Sequence, residues 1–165
     1  MKRIIILILS ITGLLSILTI IGLFVYFQFS PSTPVQPAHY FSGQELFNGI
    51  NEYRSEHNLP ILKENSDLCN NLVERWLDVK NPENGHEGFL EWAENRKLLI
   101  NGYPNKDFYY IGELYIVDAA STDKAIDWWA SSPGHRIALE NPDFDVMCAY
   151  AAEGTGVVIV GDLVN

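Results

Sequence analysis

WASSPGHRIALENPDF, residues 129–144, is the stretch on which the reading of this chain turns. Ser132 offers a hydroxyl that can cap a helix. Pro133 suits the first helical position, because its missing N–H would have no intrahelical partner there. Those two residues put His135 in the first turn of a short helix, at the positive end of the helix dipole. That end disfavours imidazolium, so the ring suits a neutral base or a metal ligand; the plainer alternative is a turn residue bonding a nearby carbonyl. Just upstream, Ser121 or Thr122 starts a helix through Ala125, Trp128 and Trp129. Adjacent tryptophans cannot share one inward face, which leaves one of them free to line a cleft near His135. Downstream the hydrophobic period changes to two. Residues 146–150 and 157–160 read as strands joined by Glu153-Gly154-Thr155-Gly156, a hairpin signal.

Toward the N-terminus the pattern is helical. Ser42 and Glu45 form a capping box ahead of Leu46, Ile50 and Tyr53, and the helix runs to about Asn58, where Pro60 stops it. Ser66 can cap a second helix whose stripe is Leu68, Leu72, Trp76 and Val79, ending before Pro82. Residues 90–101 form a third helix closed by Gly102, followed by a Tyr-rich extended stretch. Helices in front and strands behind give the α+β class. Trp76, Trp92, Trp128 and Trp129 fit core and rim packing better than a ligand cage.

The first forty residues are a different polymer. From Ile4 to Phe27 there is no charged residue. A helix of that length is about 36 Å long, enough to cross a hydrocarbon core of roughly 30 Å. Lys2 and Arg3 precede the run and no cation follows it closely, which places the N-terminus in the cytoplasm and the remainder outside. The alternative is a cleaved secretory signal, but the apolar core is longer than such signals need and Gln36-Pro37-Ala38 fits a cleavage site poorly. SPSTPVQPA, residues 30–38, reads as a short semi-rigid stalk, with His39 solvated at its end. The expected organisation is a transmembrane signal anchor at 1–29, a Pro-rich stalk at 30–39 and one extracellular domain at 40–165. The expected location is therefore the cell membrane, single-pass.

The formal charge of -10 belongs to that domain. Setting Lys2 and Arg3 apart from the 11 Lys and Arg leaves 9 against 21 Asp and Glu, or -12. With no basic cluster to override the average, nucleic acid is excluded as a partner. Cations and neutral or basic ligands remain open.

Three polar groups stand out beside the cysteines. His86 lies in the Gly- and Asn-rich NGHEGF, where it can face a cleft or be an ordinary surface-loop histidine. Glu113 lies in YIGELY among apolar neighbours, where a carboxylate is costly without a partner, and two imidazoles are natural partners. If His86, Glu113 and His135 converge, they make the two-His, one-carboxylate set of catalytic zinc sites and some iron sites, although no H-E-x-x-H helix is present to fix two of them. Cys69 and Cys148, in an oxidising compartment, suggest one disulfide tying the second helix to the first strand of the hairpin. The rival is a Cys-His nucleophile, for which neither a mid-helix nor a strand position is well placed.

In order, LFNGINEYRSEHNLPIL, GHEGF with Arg96 and Gly102-Tyr103, GEL, and WASSPGHRIALENPDF resemble the CAP superfamily of cysteine-rich secretory proteins, antigen 5 and pathogenesis-related protein 1, also called the SCP domain, in its compact bacterial extracellular form. The likeness covers about residues 44–160. It implies a three-layer α-β-α sandwich with a cleft in which two His and two acidic residues meet, binding a divalent metal in some members. His86, Glu113 and His135 match three of those positions. The fourth, a Glu shortly after the tryptophan that matches Trp129, is missing: Ala130 leads directly into Ser131-Ser132-Pro133. Leu114 also replaces the usual Asn.

Three functions follow as expectations. The first is a tethered binding module whose cleft holds a divalent cation, zinc foremost, a small lipid or a peptide. The second is a metal-assisted, peptidase-like hydrolase, with His86, Glu113 and His135 as its catalytic residues. The third is a purely structural envelope protein. The missing second carboxylate weighs against the second, and polar groups gathered from distant segments weigh against the third.

Overall fold

A computed structural model describes Ile20 and residues 40–81, 84–100 and 102–164. The expected anchor and stalk, and Asn101 at the end of the expected third helix, lie outside the described residues. Among the described residues no helix is long and apolar enough to cross a membrane.

Helix α1, Gly43–Glu56, begins at the capping box: Ser42 Oγ accepts from the Glu45 N–H, and the Glu45 carboxylate accepts from the Ser42 N–H at 2.6 Å. Strand β1, Lys63–Glu64, follows. The expected second helix is in fact two, α2 (Ser66–Cys69) and α3 (Leu72–Val79). Asn65, not Ser66, caps the first of them, accepting from the N–H groups of Asp67 and Leu68. The break falls at Asn71, whose φ of 57° is left-handed, a conformation Asn tolerates better than most residues and one that no helix continues through. Helix α4 spans Glu87–Asn95, earlier than the expected 90–101. Lys97, at φ 59°, reverses the chain. Leu99–Ile100 (β2) then pairs with Tyr103–Pro104 (β3) around Gly102 at φ 79°, so the glycine serves a small hairpin and not a helix end. The Tyr-rich stretch is strand β4, Phe108–Ile116.

Ser121 caps α5, Thr122–Ser131, through its hydroxyl, and α6 covers Pro133–Glu140. Strands β5, Val146–Ala152, and β6, Thr155–Leu163, are joined by Glu153 and Gly154, both at positive φ. That is the geometry a two-residue hairpin needs to follow the strand twist.

The main sheet has the order β1-β5-β6-β4, with β1 parallel to β5 and the other pairs antiparallel. Alternation along the strands separates two cores. Leu114, Ile116, Met147, Val158 and Val160 pack with Leu46, Ile50, Ile126, Trp129 and Leu139 from α1, α5 and α6. Val146, Cys148, Val157 and Ile159 pack with Leu68, Leu72, Trp76, Val79 and Trp92 from α2, α3 and α4. The outcome is the expected α+β class, with helices on both faces of one sheet. Cys69 and Cys148 are joined in a disulfide, which ties α2 to β5.

Candidate functional site

Strand β4 is an edge of the sheet, so helices from both faces reach past it. His86 immediately precedes α4 on one face, and His135 occupies the first turn of α6 on the other. Their Nε2 atoms approach to 3.1 Å. Glu113 projects from the middle of β4 between them in sequence, paired in register with Ile159 of the buried β6. All three expected residues are therefore brought together.

They meet in series and not around one point. The Glu113 carboxylate, 1% exposed, is gripped by Arg75 of α3: Nε donates to Oε1 at 2.5 Å and Nη2 to Oε2 at 3.0 Å. His86 Nδ1 lies 2.9 Å from the same Oε2. A carboxylate paired with guanidinium only accepts, so His86 Nδ1 donates to it, and in the neutral ring Nε2 then presents a lone pair. Arg75 also donates through Nη2 to the carbonyl of Gly85, directly before His86. Among the described residues, the close group of three potential metal-ligating side chains is Glu64, Cys69 and Cys148, and both of its sulfurs are spent in the disulfide.

His135 is held at its other nitrogen. Ser132 is the N-cap residue of α6, yet its side chain caps no backbone N–H; its Oγ lies 2.9 Å from His135 Nδ1. A hydroxyl can donate or accept. With His86 neutral, His135 Nε2–H donates to its Nε2, and His135 Nδ1 accepts from Ser132 O–H. Burial, and then the neighbouring His86, hold the His135 pKa below its usual value, partly opposed by Glu113. This agrees with the neutral ring expected at a helix N-terminus.

Aromatic rings wall the pair. Tyr115, two residues along β4 from Glu113, meets His86 edge-on at 4.6 Å, and Trp128 lies 4.7 Å from His135. Trp129 is buried and donates its indole N–H to the Tyr115 carbonyl, while Trp128 is 48% exposed, so the adjacent tryptophans split between core and cleft as expected. From Tyr115 and Trp128 a cleft of about 550 Å³ extends past Val117, Asp118, Ala119 and Lys124. Leu114, the position at which the resemblance leads one to expect Asn, is fully buried and takes no part in the site.

Two buried arginines escaped the sequence reading. Arg75 occupies the i+3 place of the stripe that Leu72, Trp76 and Val79 define, and a charge there is the legible sign of a buried partner. Arg54 of α1 donates to the carbonyls of Pro60, Leu139 and Asn141, closing the C-terminal end of the helix that carries His135.

A two-faced α+β domain with a histidine pair meeting across an edge strand defines the class. The family model for the cysteine-rich secretory protein family, CAP, matches residues 47–162, and the chain belongs to this family. No curated protein sequence matches it significantly. Among solved structures it is similar to a cysteine-rich secretory protein from Staphylococcus aureus, with 22% identity and a TM-score of 0.55 over 73% of this chain and 38% of that one. An extracellular protein containing an SCP domain from Bacillus anthracis gives 20% and 0.58 over 79% of this chain and 45% of that one. An outer surface protein from Borrelia burgdorferi gives 21% and 0.50 over 78% of this chain and 100% of that one. The chain thus spans less than half the length of the first two, and the likeness is one of fold.

Proposed function

We propose that this chain is a membrane-tethered extracellular CAP domain that binds a divalent cation, zinc foremost, between His86 and His135, and a small ligand in the adjoining cleft. The observation that carries the reading is the pair of Nε2 atoms 3.1 Å apart, with both Nδ1 atoms already engaged. Two imidazoles on one tetrahedral zinc, at roughly 2.0–2.1 Å each, stand about 3.3 Å apart. Taking up the ion requires only that His135 exchange tautomer, and the Ser132 hydroxyl can accept from Nδ1–H as readily as it donates to a bare Nδ1. Glu113 fits as the carboxylate that orients a ligating histidine and not as a ligand, because both its oxygens are occupied. A bound zinc, held by His86 and His135, would supply a Lewis acid at the histidine pair.

The same occupancy favours binding over hydrolysis. A carboxylate clamped by guanidinium is a poor general base, and position 130 is Ala. The extracellular and tethered location is supported by the uncharged run at residues 4–27 and by relatives described as secreted, extracellular or surface proteins.

Zinc titration of the full chain in detergent at about 0.15 M salt, where diffuse attraction to an acidic surface is screened, tests the reading. The expected result is one site whose affinity falls at least tenfold in His135→Ala. Equal affinity in the variant would refute it. Zinc-dependent peptide hydrolysis lost in the same variant would make the protein a hydrolase instead.

A further inference from the structure

We propose that Arg75 is the positioning residue of the histidine pair: one buried guanidinium sets where His86 Nε2 points by holding both the carboxylate that takes its Nδ1–H and the backbone carbonyl just before it. The residue is fully buried on α3. Nε and Nη2 grip the two oxygens of Glu113, and Nη2 also reaches the Gly85 carbonyl. The ring it controls has little else to fix it. The His86 side chain is 50% exposed, and its aromatic neighbours, Tyr115 and His135, belong to other elements.

The fork must be planar and rigid to make these bonds together. A lysine ammonium is a point donor on a flexible stem and cannot span Glu113 and Gly85 in one fixed geometry. The surroundings also hold the guanidinium in place. A Cβ on Gly88 of α4 would stand 2.7 Å from Arg75 Nη1, so this position keeps glycine beside the fork. Nη1 itself has no hydrogen-bond partner and only Asp78 at 3.8 Å, so it is the two bonding nitrogens that fix the orientation. Replacing a buried ion pair by apolar residues of similar volume is often neutral or stabilising, so stability alone does not account for this one, and its geometry gives it a use.

The affinity arm of the test rests on the zinc reading; the spectroscopic arm does not. Two variants probe the fork without touching a cleft residue: Arg75→Lys, which keeps the charge, and Gly88→Ala, which keeps the arginine and crowds it. In the full chain, ring ¹⁵N signals of His86 and His135 are recorded without metal, and zinc affinity is measured by chelator competition. Near-ultraviolet circular dichroism and the Cys69–Cys148 disulfide report on folding.

Both variants are expected to retain the fold, to shift the His86 ring signals and to lose about 10- to 100-fold in zinc affinity, the usual loss when the partner of a ligating histidine is disturbed. Arg75→Met should lose more than Arg75→Lys. Unchanged His86 signals together with zinc affinity within twofold of wild type, in either folded variant, would overturn the proposal. If the wild type takes up no zinc and the His86 signals still move, the positioning role stands and the metal reading falls.

Discussion

His135 has two local reasons to be neutral, its place at the start of α6 and its burial against His86, and both act in one direction. Its folded pKa lies below the unfolded value near 6.5, so the unfolded chain binds the proton more readily. The stabilising contribution is therefore complete above pH about 6.5 and is lost as the pH falls through the folded value. His135→Gln should flatten that part of the stability profile; urea midpoints with an unchanged acid slope would contradict it. Glu113 and Arg75 carry the larger stake. Glu113→Ala leaves a buried guanidinium with the Gly85 carbonyl and a half-exposed Asp78 at 3.8 Å, and should cost about 3–5 kcal/mol in chemical denaturation. The sequence disclosed His86, Glu113 and His135 because each is a polar residue in a setting that needs a reason. It concealed Arg75 because a stripe counted from apolar residues alone passes over the charge at its i+3 position. Glu113 was legible as a carboxylate in need of a partner, but that its partner lies on α3, 38 residues away, is a fact of the tertiary fold.

At the scale of elements, capping chemistry translated directly and breaks did not. The Ser42–Glu45 box and Ser121 fixed the starts of α1 and α5 through bonds visible within four residues. The separation of α2 from α3 depends on left-handed Asn71, a conformation Asn can adopt but does not announce. Helix α4 ends early because Lys97 reverses the chain into β2, whose partner β3 follows Gly102, so the glycine signal was real but belonged to another element. The disulfide closes a separation of 79 residues, for which loop-closure entropy gives roughly 4.5 kcal/mol. Replacing both cysteines by Ala should lower stability by about that amount; a loss below about 1 kcal/mol would show that the unfolded chain gains little freedom. Gly43→Ala tests the seat of α1. Its Cβ would lie 2.5 Å from the Ala149 carbonyl oxygen of β5, and the backbone must move, at a cost of about 1–3 kcal/mol in thermal or urea unfolding.

Across the whole molecule, composition and fold divide the work. The acidic surface of the domain disfavours phosphate backbones and attracts cations diffusely, and in the function proposed above the meeting of α4 and α6 around the β4 edge is the specific place for one. The cleft beside it combines apolar and aromatic walls with Lys124 and Asp118, a lining suited to a small amphipathic ligand. On the proposed reading, the arginine clamp on Glu113, with Ala at position 130, suits a site that holds rather than one that cleaves. The most direct test is diffraction from zinc-soaked crystals at the zinc absorption edge. One strong anomalous peak is expected between His86 Nε2 and His135 Nε2, with Glu113 still on Arg75 and outside the coordination sphere. A peak absent from that position, or one bound instead to surface carboxylates, would contradict it.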